Sequence, residues 1–303
     1  MTSADPSNRA ARRLDAAAAA YRFKALDPEA RWGFKAGSGT TPSQLSCLVA
    51  TVAVAGGAYL IVGLLRGTAW GGFLWHEMTA YQYIPIPVIV FSVWCFAFLC
   101  LKALKIKAQR AVLVAPVLPT GNTFTLTAET ADAVVDRIDA IADEPERFLY
   151  LARVRGVLRM MRNLGRVGDV DQLLASRAEQ DDLSAESGYT IIRGFIWAIP
   201  VLGFIGTVLG LTEAMGAFGS TLGTLQDGSG SGSSQIASLV KNLTGVLDGL
   251  KTGFVTTGQA LVSVLAIQLL LVSVKRADEQ LLDDIQSTCN RTIVSRVRIT
   301  EQR

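Results

Sequence analysis

Four stretches of this chain are apolar for long enough to cross a lipid bilayer, and that constrains the fold more than anything else in it. Leu45 to Leu65 contains no charged residue. At about 1.5 Å per helical residue it spans a hydrocarbon core of roughly 30 Å. Ile84 to Leu101 is a second, shorter run, opened by Ile84-Pro85-Ile86-Pro87 and closed by Lys102, Lys105 and Lys107. Tyr189 to Glu213 is the third, interrupted only by Arg193 near its start. Gly253 to Val274, ended by Lys275 and Arg276, is the fourth. Inside lipid a backbone must satisfy its own polar groups, so runs of this kind are helices. The expected fold class is an all-α integral membrane protein with four transmembrane helices and a helical cytoplasmic insert between spans two and three.

Positive charge sets the expected orientation. Arg9, Arg12, Arg13, Arg22, Lys24, Arg31 and Lys35 crowd residues 1–44, and the 102–190 insert and the C-terminal tail hold nearly all the rest. Residues 67–83 have no Lys or Arg, and residues 216–250 have only Lys241. The positive-inside rule then puts both termini and the insert in the cytoplasm. The 67–83 turn carries Trp70, Phe73, Trp75, Tyr81 and Tyr83, the aromatic pattern of a membrane interface. The single histidine, His76, lies in this turn and is assigned no role. The organisation predicted is a cytoplasmic segment over 1–44, a transmembrane hairpin over 45–101, the insert over 102–190, a second membrane pair over 191–276 and a cytoplasmic helix over 277–303.

Within the polar segments the spacing of apolar residues predicts further helices. Residues 10–26 read as a cytoplasmic helix, with a membrane-surface helix as the alternative, and not as a signal peptide. Thr127 to Asp143 repeats Val134, Ile138 and Ile141 at helical spacing, with Val135 beside them. Arg147 to Leu164 is a basic helix and Asp169 to Glu186 a third. Arg153, Arg155, Arg159, Arg162 and Arg166 are expected on a solvated face paired with neighbouring acids, the alternative being a phosphate or anionic-lipid site. Residues 219–235 read as a flexible Gly/Ser loop. From Ile236 the pattern Leu239, Leu243, Val246, Leu250 leads without a strong breaker into the fourth span, so one long helix is expected. In the tail, Leu281, Leu282 and Ile285 supply a packing face.

Several function classes are excluded at this level. A net charge of +3 over 303 residues does not argue for nucleic acid. No nucleophile–histidine–acid set exists, and residues 219–235 lack the Gly-Lys-Ser/Thr ending of a phosphate loop. Neither an HExxH nor a CxxC motif is present, and Cys47, Cys95, Cys100 and Cys289 lack metal-ligand spacing. The expectation is a protein that is not an enzyme, with no cofactor, no metal and no disulfide.

Inside the spans the informative feature is an absence: no Asp, Glu, Lys, Arg or His lies at mid-depth. Proton relays in membranes normally use such groups. What remains are hydroxyls and amides, Thr207 on span three and Thr256, Thr257, Gln259 and Ser263 on span four. On span three Gly203, Gly206, Thr207, Gly210 and Ala214 share one stripe. Such a stripe is either a small-residue packing seam or a track for a central helix from another protein. In the second case any proton-carrying acid must come from that partner.

The run Ile199-Pro200-Val201-Leu202-Gly203-Phe204-Ile205-Gly206-Thr207-Val208-Leu209-Gly210-Leu211, followed by Ala217-Phe218, resembles the signature helix of the MotA/TolQ/ExbB proton-channel family. Phe254-Val255-Thr256-Thr257-Gly258-Gln259-Ala260-Leu261-Val262-Ser263 is similar to the helix that follows it in that family. The resemblance covers roughly residues 189–290 and makes 191–276 the channel core. The Gly-Thr-Val motif is nearer TolQ and ExbB, whereas two spans ahead of the insert is the MotA topology. The resemblance implies a stator subunit of an ion-driven rotary motor in the bacterial inner membrane. Five copies would surround a dimer of a single-span partner like ExbD, TolR or MotB that carries a membrane aspartate. Thr207 and Thr257 match the family's pore threonines, with Thr256 as the neighbour of undecided facing. Pro200, Gly203, Gly206, Gly210, Ala214, Ala260 and Ser263 would line the pore or pack against the partner. The transported ion would be H⁺. Na⁺ is the alternative, and a non-conducting scaffold is the alternative to a motor.

Overall fold

The computed structural model describes residues 21–37, 39–68, 71–72, 75, 85–118, 126–161, 167–226 and 232–294. Arg9, Arg12, Arg13, Trp70, Phe73, His76, Tyr81, Tyr83, Arg162, Arg166 and the part of the N-terminal helix before residue 21 lie outside the described residues. The described helices are α1 (Phe23–Leu26), α2 (Pro28–Arg31), α3 (Gln44–Leu64), α4 (Pro85–Val112), α5 (Ala128–Ile141), α6 (Leu149–Met160), α7 (Val167–Ser187), α8 (Thr190–Gln226) and α9 (Gly232–Thr292). Among the described residues there is no strand, only an isolated bridge between Tyr21 and Ala142. Four helices are long and apolar enough to cross a membrane, so the chain is a multi-pass, all-α membrane protein.

The chain divides into two compact units, one from 1–47, 98–190 and 272–303 and the other from 48–97 and 191–271. In the first, α5 begins at a reciprocal cap. The Thr127 hydroxyl accepts from the Thr130 N–H, and the Thr130 hydroxyl accepts from the Thr127 N–H at 2.9 Å. Two of the backbone donors left over at a helix start are satisfied in this way. Val134, Val135, Ile138 and Ile141 are all buried, as their spacing requires. Helix α5 packs on α6, and α6 on α7. Leu281, Leu282, Ile285 and Cys289 form the buried face of the end of α9.

Three expectations need correction in this unit. First, the helix expected over 10–26 is broken in its described part: Tyr21 bridges to Ala142 and Arg22 is extended, so only Phe23–Leu26 is helical, ending at Leu26 as expected, where Asp27-Pro28 follows. A residue before proline is driven out of the helical region, and proline is well placed only in a first turn. Asp27 therefore caps a new turn, its Oδ1 accepting from the N–H groups of Glu29 at 2.8 Å and Ala30 at 3.1 Å. Second, Lys102 and Lys105, which close the apolar run of span two, do not reach solvent. Helix α4 continues to Val112 and both lysines are fully buried. Third, Arg153 is not on a solvated face. It is 4% exposed, and its guanidinium donates to Asp181 at 2.6 Å and to Gln286 at 2.8 Å. The partly exposed Arg155 does meet the expectation of acidic partners, with Glu146 at 2.6 Å and Asp139 at 2.9 Å.

In the second unit α3 turns large aliphatic side chains outward, including Val52, Leu60 and Ile61, which suits lipid as the surrounding solvent. Phe195 stacks on Phe91 with ring centroids 4.7 Å apart and meets Trp94 edge-on at 5.0 Å. These rings fasten α4 to α8. The predicted loop over 219–235 is another correction: α8 continues to Gln226 and α9 starts at Gly232. Glycines lower helix stability by about 1 kcal/mol each, but the intervening Thr221, Leu222, Thr224, Leu225 and Gln226 tolerate helix. Ser220 also returns its hydroxyl to the Ala217 carbonyl at 2.7 Å, a bond compatible with helix. The long helix expected through the fourth span is present as α9.

Candidate functional site

The glycines of α8 and α9 set the geometry of the second unit. A Cβ on Gly203 would come within 2.7 Å of the Ala260 Cβ and 3.2 Å of the Thr257 Cα. One on Gly210 would strike the Gly249 carbonyl and lie 2.8 Å from the Gly253 N. On Gly253 it would be 3.1 Å from the Thr207 Cα, and on Gly249 2.7 Å from the Ala214 N. The two backbones are thus in contact along a seam of small residues, the close approach that glycine permits in a membrane. Gly206, Ala214 and Ala260 are buried as well, and Pro200 and Ser263 are half-buried. Pro200 cannot donate a backbone hydrogen bond, so one carbonyl a turn earlier on α8 loses its helical partner. The expectation of an open track for another protein's helix therefore needs correction. Within the chain, Gly203, Gly210 and Ala214 are already covered by α9. Periodicity put these residues on one face but carried no information on which helix fills it.

The three threonines are not equivalent. Thr207 donates to the Phe204 carbonyl of its own helix at 2.6 Å. Thr256, 2% exposed, shares its proton between the Thr252 and Gly253 carbonyls, each at 3.0 Å. Thr257 donates across the seam to the Gly203 carbonyl at 2.8 Å. Each hydroxyl proton is spent on a backbone carbonyl, while the oxygen keeps lone pairs that accept hydrogen bonds. The set is therefore a group of acceptors without charge. Thr207 also lines a cavity of about 150 Å³ with Leu211, Gly249, Leu250, Gly253 and Phe254, and it is the only hydroxyl-bearing side chain among them.

A second polar constellation, in the first unit, escaped sequence reasoning. Lys102 Nζ lies 2.9 Å from Asp278 Oδ2, donates to Thr40 at 3.2 Å and sits 4.3 Å from the Tyr189 ring centroid. The Tyr189 hydroxyl donates to the same Asp278 oxygen at 3.0 Å. One turn on, Lys105 Nζ is 2.7 Å from Glu29 Oε2 and 3.5 Å from Asp27. Glu29 is fully buried and also accepts from the N–H groups of Gly37 at 2.9 Å and Ser43 at 2.6 Å, and from the Ser46 hydroxyl. Burial raises its carboxyl pKa. The bonds from Lys105, Ser46 and Gly37 outweigh that, and the net position is below the ordinary value. The signal that could have found this pair is the position of Lys102 and Lys105 three apart on a face that also carries Leu99 and Ile106.

No protein-family model, curated protein or solved structure matches this chain. Among the described residues no group of His, Cys, Asp and Glu is placed to hold a metal ion.

Proposed function

We propose that the chain is the channel-forming stator subunit of an ion-driven rotary motor in the bacterial inner membrane, of the MotA/TolQ/ExbB type, with both termini cytoplasmic. Five copies surround a dimer of an ExbD/TolR/MotB-like partner whose single span carries an aspartate, with membrane lipid outside the ring and protons as the transported ion. The observation that carries the reading is the glycine seam bearing Thr207, Thr256 and Thr257, acceptor oxygens on two spans with no charge at mid-depth. A protonated partner aspartate has one O–H to donate, and in a low-dielectric setting such a bond is strong. The oxygens stabilise that protonated form and cannot compete with it for charge. Since α9 covers the stripe, the partner approaches on the side where Thr207 opens to its cavity. Proton transfer to and from the partner acid then turns one ring against the other.

A scaffold without conduction is the second reading. The observation favouring it is that α8 and α9 close the glycine stripe within one chain. Flux decides between them. The complex from native membranes is reconstituted in vesicles containing a pH-sensitive dye. Thr207→Val and Thr257→Val are expected to abolish proton flux while the subunit masses of the complex stay unchanged. Wild-type flux in both variants overturns the channel assignment. Replacing the proton gradient by a sodium gradient separates H⁺ from Na⁺ as the driving ion, because additional oxygens on α9, Gln259 and Ser263, are also of a kind that ligates Na⁺.

A further inference from the structure

Residues 21–37 sort their charges by side. Both acids, Asp27 and Glu29, are buried, whereas all the bases, Arg22, Lys24, Arg31 and Lys35, are exposed. Among the described residues none of these bases is in an ion pair. Trp32 stands among them with 57% of its surface exposed. An indole is large and mostly apolar, and water is a poor surrounding for it. Its exposure belongs to a well-built turn. The Trp32 N–H donates to the Pro28 and Glu29 carbonyls, the Gly33 N–H to Ala30 at 3.1 Å and the Phe34 N–H to Glu29 at 3.0 Å. Gly33 has a φ of 80°, the left-handed conformation in which glycine ends a helical turn.

The turn is fixed at the end of a membrane span. Glu29, three residues before Trp32, accepts from the Ser43 N–H at 2.6 Å and from the Ser46 hydroxyl, at the first turn of α3. It also meets Lys105 Nζ of α4 at 2.7 Å. Measured from their far ends, both helices reach this point after the thickness of a hydrocarbon core. Helix α3 has 21 residues from Leu64 back to Gln44, and α4 has about as many from Pro85 to Lys105. At about 1.5 Å per residue each is about 30 Å long. Leu45 and Leu48, at the start of α3, already turn outward, as lipid-facing side chains do. The Trp32 turn therefore lies at the depth of the lipid headgroups, where tryptophan is favoured. Its exposed charges are all positive, which complements an anionic leaflet.

We propose that the Trp32 turn docks on the adjoining bilayer leaflet and binds anionic lipid there. The indole lies among the headgroups beside α3, and Arg31 and Lys35 pair with lipid phosphates. The full-length protein, in the complex in which it is purified, is reconstituted in vesicles of phosphatidylcholine with or without phosphatidylglycerol. The Trp32 signal is the difference in emission between wild type and Trp32→Phe. Phosphatidylcholine brominated near the top of its acyl chains quenches a docked indole, and acrylamide quenches one in water. With phosphatidylglycerol present, the Trp32 signal is expected to be quenched by the brominated lipid and shielded from acrylamide. Each basic residue near an anionic surface is worth about five-fold in affinity. Arg31→Gln/Lys35→Gln should thus lower the ratio of docked to water-exposed Trp32 by roughly twenty-five-fold in those vesicles. In phosphatidylcholine alone the same variant should change little. The three substituted side chains are exposed, so the variants keep their fold. Quenching by brominated lipid that is absent, indifferent to phosphatidylglycerol or unchanged in the double variant overturns the proposal. Shielding from acrylamide without that quenching would mean that protein covers Trp32, and overturns it equally. No ion flux is read, so failure here and failure of the channel reading are separate results.

Discussion

The seam between α8 and α9 and the Lys102–Asp278 node both hold helices together around polar atoms, but by opposite means. The seam has no charge. Gly203, Gly210, Gly249 and Gly253 let backbones touch, and the polar groups are hydroxyls satisfied by carbonyls. The node relies on ammonium and carboxylate groups almost completely removed from solvent. Small-residue packing depends on shape and tolerates loss of a single hydrogen bond. Buried ion pairs depend on both partners, because removing one leaves the other desolvated and uncompensated.

The largest effect that would sharpen this contrast is expected at the node. Lys102→Met alone should destabilise the protein by about 3–5 kcal/mol, with much of the loss recovered in Lys102→Met/Asp278→Leu. Unfolding of the detergent-solubilised protein measures both, and a double variant no better than the single would show that the charges are not coupled. At the seam, Gly210→Ala should cost about 1–3 kcal/mol through overpacking. Gly258→Ala, where a Cβ meets nothing within 4 Å, should be neutral or slightly stabilising. Equal effects at the two glycines would mean that the seam is not closely packed.

Acid should separate the regions next. The Glu29 carboxyl is held below its ordinary value of 4.5, so the folded state binds this proton less readily than the unfolded state. The resulting stability is fully present above about pH 4.5 and is lost as pH falls through the lower folded value. Glu29→Gln should therefore flatten the pH dependence of unfolding on the acid side, below about pH 4.5, whereas Thr257→Val should not. The smallest effect is Thr257→Val itself, expected to cost only about 0.6 kcal/mol of stability, the mean for hydrogen bonds between membrane helices. A loss several times larger would place Thr257 among the residues that hold the seam together.

Much of the helical plan was legible from residue spacing. The buried face of α5, the continuity of α9 and the burial of Leu281 and Ile285 follow from patterns of three and four residues. The ends were less legible. Lys102 and Lys105 look like the aqueous end of a span, because a charge is costly to bury and the partners that make burial possible, Glu29 and Asp278, are distant in sequence. Ser220 to Gln226 looked like a loop, because composition does not reveal a hydroxyl that bonds within a helix.

By itself the sequence determined that the chain crosses a membrane on helices and that its spans carry hydroxyls in place of charge at mid-depth. Long uncharged runs leave no other way to satisfy the backbone in lipid. It also determined that Gly203, Gly206, Gly210 and Ala214 share a face, since helical period alone fixes that. Only the tertiary structure decided that α9 covers this face, that Thr257 bonds across it while Thr207 bonds within its own helix, and that Lys102 meets Asp278. The pairings between helices join residues tens to more than a hundred positions apart, and which partner satisfies a buried polar group depends on packing that local pattern does not encode.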